Sequence, residues 1–188
     1  MKNEEKTRVC PVELAGGLDS KIRRWIQNPQ KILAPYVKEG MKVLDVGCGP
    51  GYFTIEMVKL VGVNGKVIAA DLQEGMLQIV KAKIKGTLLE KNVSLIKCDK
   101  EKLNVNEKVD FVLCFYMVHE IPDKDRLFSE LKNLLNKNGR VLIVEPPFHV
   151  SKKDFDSTLN YAMHAGFSIS QGPKMLFHRT AELTNQLN

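Results

Sequence analysis

Residues 42–51 read KVLDVGCGPG, a short apolar run that breaks into three glycines at alternate positions, Gly47, Gly49 and Gly51. The apolar part has the length and composition of a β-strand buried on both faces. Asp45 sits near its end. An acidic residue beside a glycine turn can accept hydrogen bonds from a ligand, and glycines, lacking Cβ, let the backbone come close to it. Residues 66–71, KVIAAD, give a second strand that ends in Asp71. A glycine bed at one strand end and a carboxylate at the next suit the two ends of a nucleoside.

Other glycine-rich readings fit less well. A phosphate-cradling loop needs Gly-Lys-Ser/Thr after its glycines, and this chain has Gly51-Tyr52-Phe53. The dinucleotide fingerprint G-x-G-x-x-G places its third glycine five residues after the first. Here that position is Tyr52, and the third glycine falls at 51. The remaining alternative is a structural turn with no ligand, against which Asp45 and Asp71 both weigh.

Working outward, five strands are expected at 42–46, 66–71, 93–97, 109–115 and 139–145, apolar throughout except for the mixed VSLIK. Helical patterns fill the gaps at 52–61, 74–86 and 123–137. In the last of these Leu127, Phe128, Leu131, Leu134 and Leu135 recur at helical spacing. Asn138-Gly139 is expected to end that helix with a positive φ angle. A further helix near 151–165 precedes FSISQG and KMLFHR, which are split by Gly172-Pro173 and read as a hairpin. The final residues, 181–188, read as a frayed tail. Ahead of the first strand, residues 1–18 look irregular, with Pro11 and Gly16-Gly17 as breaks. A helix through IRRWIQ, with Ile22, Trp25 and Ile26 on one side, is interrupted by Pro29, and KILAPYV makes another short apolar-faced turn. Residues 1–36 are thus a leading segment, either a lid over the ligand mouth or a static cover on the sheet.

With these residues in place, VLDVGCGPGYF followed by Asp71 resembles the class I S-adenosylmethionine-dependent methyltransferases, over about residues 37–179. The resemblance implies an α/β, Rossmann-like, mostly parallel seven-stranded sheet in the order 3-2-1-4-5-7-6 with strand 7 antiparallel, and a cofactor-binding domain over 37–180. It implies S-adenosylmethionine as cofactor and S-adenosylhomocysteine as its product. Asp45, Gly47 and Gly49 match the glycine loop that holds the methionine and ribose portions. Cys48, Gly51 and Tyr52 complete that loop and the start of its helix. Asp71 matches the acid that binds both ribose hydroxyls, and Asp99, after strand three, matches the acid that meets the adenine amino group. Leu72 and Met76 are candidates for packing on adenine, with core filling the alternative for Met76.

The acceptor side follows strand four, in DFVLCFYMVHEIPD. Phe115, Tyr116 and Met117 stand where a family member lines the space between cofactor and acceptor, so Phe115 is a cofactor-contact candidate. Tyr116 is a catalytic candidate, because an aromatic ring can favour the cationic methyl. His119, paired in sequence with Glu120, is the candidate general base at the ligand end of the sheet. Its alternative is a structural histidine capping helix 123–137. Asp110 starts the strand and is expected far from the mouth. EPPF at 145–148 resembles the strand-end motif of amino-methylating nucleic-acid enzymes, yet it begins with glutamate and follows strand five rather than four. His149 and Lys152 beside it are further acceptor-pocket candidates.

Composition narrows the partners. Hydrophobic residues make up 44% and charged residues 27% of the 188, as in an ordinary water-soluble domain. No apolar run approaches a membrane span. The charged start, MKNEEKTRVC, lacks the apolar core of a secretory signal, so a cytoplasmic protein with no membrane partner is expected. The formal charge of +6 comes from dispersed lysines with modest clusters at KAKIK and Arg23-Arg24. A nucleic-acid binder would concentrate such charge on one patch. A small-molecule methyl acceptor is therefore expected. The alternatives are an RNA, DNA or protein methyltransferase, and a non-catalytic S-adenosylmethionine-binding protein. The cysteines at 10, 48, 98 and 114 show no C-x-x-C or His/Cys ligand spacing. No metal site is expected, and those in apolar runs read as buried free thiols. The sequence carries no signal of oligomeric state.

Overall fold

Each apolar run becomes a strand, and the strands assemble into one seven-membered sheet. The structure is a computed structural model and describes residues 27–185. Strands β1 (Lys42–Val46), β2 (Lys66–Asp71), β3 (Val93–Lys97), β4 (Val109–Phe115), β5 (Leu135–Glu145), β6 (Phe167–Gln171) and β7 (Arg179–Asn185) lie in the order β3-β2-β1-β4-β5-β7-β6. The first five pair in parallel, and β7 runs antiparallel to both β5 and β6. This is the expected order. Because the order reverses between β1 and β4, a crevice opens beyond their C-terminal ends, where open α/β sheets bind ligands.

Period-two alternation sorts the side chains onto two faces. Leu44, Val46, Ile68, Val112, Cys114, Val141 and Ile143 share one cluster with Phe128 and Leu131 of helix α4 (Lys124–Leu134) and Phe155 and Ala162 of α5 (Lys152–His164). Val43, Val67, Phe111, Leu113, Leu142 and Val144 share another with Ile32 and Leu33 of α1 (Pro29–Leu33) and Met57, Val58 and Val61 of α2 (Thr54–Val61). Helix α3 (Glu74–Ile84) packs Leu77 and Val80 on Ala69 and Cys48. Covered on both faces, the central strands are apolar through their middles, apart from the buried Asp45 of β1. Strand β3, the mixed one, is a half-buried edge. Cys48, Cys98 and Cys114 are free and buried. Burial first of all raises all three thiol pKa values, that of Cys98 to about 12. Cys10, Ile22, Trp25 and Ile26 lie outside the described residues, as does most of the leading segment. Among the described residues no helix is long and apolar enough to cross a membrane.

Two local expectations are corrected. Pro29, expected to interrupt a helix whose other residues lie mostly outside the described ones, is the first residue of α1, where a missing N–H costs nothing, and Asn28 caps it by accepting from the Lys31 N–H at 3.1 Å. The helix expected to reach residue 137 stops at Leu134, and Gly139 is not at positive φ. Gly139 lies inside β5, beside a register shift between Val109 and Phe111. A Cβ there would come within 2.7 Å of Leu135 Cδ2 and 3.2 Å of the Val109 carbonyl oxygen. That glycine serves close strand approach. Finally, the hairpin's second strand is RTAELTN, not KMLFHR. Residues 181–185, expected to fray, are held by ladders on both sides, with Ala181 and Leu183 buried. Leu176 and Phe177 of KMLFHR are instead exposed in the connecting loop.

Candidate functional site

The glycine loop leaves β1 and is bound to β2 at once. The N–H groups of Gly47 and Cys48 both donate to the Ala70 carbonyl, at 2.8 and 3.1 Å. The Gly49 N–H donates to Asp71 Oδ2 at 2.8 Å, and the Gln73 N–H to Asp71 Oδ1 at 2.8 Å. The Asp71 carboxyl is thus 6% exposed yet anchored. Burial raises its pKa, while the N–H groups of Gln73 and Gly49 and the Lys97 charge pull the other way. An ionised carboxylate has about four acceptor positions, so Asp71 keeps capacity beyond these two bonds. Gly47, Gly49 and Gly51 all have positive φ. A Cβ at Gly51 would sit 2.9 Å from Val80 Cγ2, whereas at Gly49 it would meet nothing within 4 Å. Open room therefore lies against Gly49, beside Asp71.

The other residues expected at this end have the following surroundings. Asp45, 2% exposed, accepts from the buried Thr54 hydroxyl at 2.6 Å and so clamps the first residue of α2 to β1. Tyr52 is buried and precedes that helix, which begins at Thr54. Leu72 is half-buried after Asp71, and Met76 is buried on α3. Asp99 follows Cys98, whose N–H donates to the Asp71 carbonyl at 2.9 Å; its own carboxylate is exposed and accepts from Asn104 Nδ2 at 2.9 Å. Asp110 accepts from the Lys42 N–H at the start of β1, at the far end of the sheet as expected.

Beyond β4 an aromatic wall rises. The Phe53 and Phe115 rings stand 4.3 Å apart, Phe115 and Tyr116 4.4 Å, and Tyr116 stacks on His178 at 5.7 Å. Tyr116 adopts φ 61°, a conformation costly for a residue with Cβ, while its N–H stays bonded to the Val144 carbonyl at 2.8 Å. Gln27 is the hub of this wall. Its Nε2 donates to the Tyr116 hydroxyl at 2.6 Å and lies 3.0 Å from His178 Nε2, and its carbonyl accepts from the Tyr52 hydroxyl at 2.7 Å. His178 Nδ1 lies 2.5 Å from the Leu176 carbonyl, so Nδ1 carries the proton and Nε2 accepts.

His119 stands on the turn Val118–Glu120 after β4, and its partner is Glu145 rather than Glu120. Glu145 ends β5, is 1% exposed, and grips His119 twice: Oε1 accepts from the backbone N–H at 3.0 Å and Oε2 meets ring Nδ1 at 2.6 Å. The Glu145 hydrogen bond raises the His119 pKa against the opposing effect of burial. His119 does not cap the following helix; Asp123 does, accepting from the Arg126 N–H at 3.0 Å. The His149 ring lies 6.4 Å from that of His119, and Lys152 is exposed at the start of α5.

Sequence reasoning missed Gln27, His178 and Glu145. Gln27 was hidden among the apolar residues of its helix pattern, and its bond to His178 spans 151 positions. Glu145 did leave a signal. An acid closing the apolar run VLIVE, at the ligand end of a buried strand, must find a partner there.

A parallel sheet whose glycine loop and strand-end carboxylate meet at the switch point defines a nucleoside-binding α/β domain. The chain belongs to the class I S-adenosylmethionine-dependent methyltransferases: the family model described as a methyltransferase domain matches residues 37–178. A demethylmenaquinone methyltransferase from Lactobacillus johnsonii is 32% identical over 154 residues, 78% of this chain and 63% of that protein. The ubiquinone/menaquinone biosynthesis C-methyltransferase UbiE of Idiomarina loihiensis is 31% identical over 140 residues, 74% of this chain and 53% of that protein. The chain thus spans between half and two thirds of the length of these curated relatives. Among solved structures, a SAM-dependent methyltransferase from Aquifex aeolicus superposes with a TM-score of 0.80 at 26% identity, covering 93% of this chain and 97% of its own. A Methanococcus maripaludis protein at 15% identity and TM-score 0.76, covering 100% of this chain and 98% of its own, shares the fold. The cofactor of the family suits the residues present: open room at Gly49 with spare acceptor capacity on Asp71 is what an adenosine ribose needs.

Proposed function

We propose that the chain binds S-adenosylmethionine at the Gly47–Gly51 loop and transfers its methyl group to a small-molecule acceptor held against the wall of Phe115, Tyr116 and His178. The observation that carries this reading is the Asp71 carboxylate, buried and braced by the Gly49 N–H beside open room. In this reading Asp71 accepts from the ribose hydroxyls, Gly47 and Gly49 admit the cofactor's chain, and Leu72, Met76 and Asp99 surround adenine. When bound, the cofactor supplies a methyl group on a sulfonium: the acceptor's electron pair forms the new bond as the C–S bond breaks, leaving its pair on sulfur. The chain's own contribution is alignment, exclusion of water and removal of an acceptor proton. In this reading Tyr116, whose hydroxyl accepts from Gln27, orients the acceptor, and His119 takes the proton.

The relatives named for ubiquinone and menaquinone biosynthesis, together with the stacked aromatic rings, favour a planar ring-bearing acceptor. Gln27 belongs to the leading segment and is bonded to two residues of the wall, Tyr116 and His178, and to Tyr52, which favours a segment that covers the acceptor space. Calorimetry tests the cofactor: S-adenosylmethionine or S-adenosylhomocysteine should bind, and binding of NAD with none of either would refute the reading. Screening phenols, thiols, amines and carboxylates for cofactor turnover tests the acceptor class. Salt-sensitive binding to RNA or DNA would instead favour a nucleic-acid substrate.

A further inference from the structure

We propose that Glu145 is a positioning residue that holds His119 with the proton on Nδ1 and the lone pair on Nε2, making Nε2 the proton acceptor for a hydroxyl-bearing methyl acceptor. This deepens the function proposed above and rests on it. The geometry is specific. Glu145 is buried at the end of β5, and its two oxygens engage the backbone N–H and the ring Nδ1 of the same residue, so turn position and ring orientation are set together. A carboxylate is an acceptor only, so the Nδ1 side of the pair must carry the hydrogen. Nε2 then projects away from Glu145. It has no protein hydrogen-bond partner among the described residues, and the side chain is 25% exposed. A carboxylate that fixes a histidine's tautomer and stabilises the imidazolium it becomes is the logic of acid–base dyads.

The dyad also says what kind of acceptor makes use of it. An amine with a free lone pair needs no base, and a thiol is partly ionised near neutrality, whereas a phenol-like hydroxyl with pKa about 10 is not. The hydroxyl proton passes to Nε2, the hydroxyl electron pair is freed for attack, and the imidazolium charge is matched by the Glu145 carboxylate. Glu120 on its own turn and Lys124 at the start of α4 also act on the His119 titration, in opposite directions, and the His149 ring on the loop after β5 stands 6.4 Å from it. Glu145 is bonded to the ring itself.

The test compares the wild type with Glu145→Gln and His119→Ala. In unliganded protein, nitrogen-15 NMR at pH 8 should find the His119 proton on Nδ1, and Glu145→Gln should lower the His119 pKa. Protonation on Nε2, or a pKa that Glu145→Gln leaves in place, overturns the proposal whatever the activity. With S-adenosylhomocysteine bound, hydroquinone as probe should perturb the Nε2 resonance in the wild type and leave that of Glu145→Gln much less affected. With an acceptor in hand, Glu145→Gln should lower kcat at least about tenfold with unchanged cofactor affinity, and move the rising limb of its pH profile down with the NMR pKa. A profile that stays put while the NMR pKa moves leaves Glu145 a purely structural clamp and overturns the proposal. Failure of the wild type to bind S-adenosylhomocysteine would sink the broader methyltransferase reading instead, and the NMR titration tells the two failures apart.

Discussion

The Gly49 N–H donates to Asp71 Oδ2 at 2.8 Å, so the glycine loop after β1 and the carboxylate ending β2 form one bonded unit before any ligand arrives. The two halves of the proposed nucleoside site are therefore set relative to each other by the protein itself. An arrangement held in advance loses less entropy on binding than one assembled around its ligand.

Replacing Gly49 and Gly51 separately should divide binding from packing. Gly51→Ala meets both a φ of 85° and Val80 Cγ2 at 2.9 Å, and is expected to destabilise the fold by about 2–4 kcal/mol. Gly49→Ala meets no neighbour, so only the conformational cost of about 1–2 kcal/mol applies, but its methyl group enters the room proposed for the cofactor. Denaturation paired with calorimetry should show the larger stability loss at 51 and the larger fractional loss of affinity at 49. The reverse pattern would move the cofactor away from Gly49.

Asp71→Asn keeps the side chain's shape and removes its charge. Charge-assisted hydrogen bonds are worth about 1.5–3 kcal/mol, so cofactor affinity should fall roughly tenfold or more. The pKa of Asp71 is raised, so the ionised form proposed to accept from ribose is lost at higher pH than for an ordinary aspartate. Wild-type affinity should hold above that raised pKa and weaken as the pH falls through it, and the Asn variant should lack this dependence. Equal affinities in the two folded proteins would place the ribose elsewhere.

Thr54→Val replaces a buried donor with an isosteric methyl and deprives the buried Asp45 carboxylate of its 2.6 Å bond. The expected cost is about 1.5–3 kcal/mol, a fall in Tm on the order of 5 °C by scanning calorimetry. Thr54→Ser, which keeps the hydroxyl, should recover much of it. A Tm unchanged in Thr54→Val would mean that Asp45 is satisfied without Thr54.

His119 should also report itself in stability. Its folded pKa is raised above the ordinary 6.5, chiefly by Glu145, so protonated His119 favours the native state. The wild type's advantage over His119→Ala in urea unfolding should be fullest below about pH 6.5 and shrink as the pH rises through the folded-state pKa. For a base, turnover rises over that same upper interval, higher than the pH 6 to 7 expected of an unperturbed histidine. A stability gap that grows with pH would contradict the ion pair.

Gln27→Ala removes the side-chain bonds to Tyr116 and His178. If the leading segment closes over the cofactor, amides over residues 8–28 should gain protection when cofactor is added, and Gln27→Ala should weaken that gain. Identical exchange with and without cofactor would make the segment a static cover.

The sheet is legible in the sequence because burial on both faces leaves a mark along a strand: β1, β2 and β4 begin and end where their mostly apolar runs do, and the mixed edge strand β3 also keeps its expected bounds. The glycine loop was readable because its neighbours are near in sequence. What escaped depends on partners far along the chain. Nothing within KMLFHR distinguishes a strand from a loop; β7 is the segment whose Ala181 and Leu183 find the core face between β5 and β6. His119 stands out in the sequence beside Glu120, but its bond to Glu145 exists only once β5 lies beside β4. Gly139 was read by the local rule for helix ends, and close contact with β4 overrode it.

Strand β7 has a consequence for how the molecule is made. It lies inside the sheet, with β5 on one side and β6 on the other, although both precede it in the chain. During synthesis on the ribosome, β5 emerges with an open edge and β6 with no neighbour to pair with, until residues 179–185 arrive and bridge them. That interval leaves an apolar strand edge able to recruit another nascent chain. A stop codon or protease cut shortly before Arg179 would prolong the interval indefinitely. The glycine loop, complete long before, would then sit on a sheet that cannot close, and such a product would aggregate rather than survive as a partial enzyme.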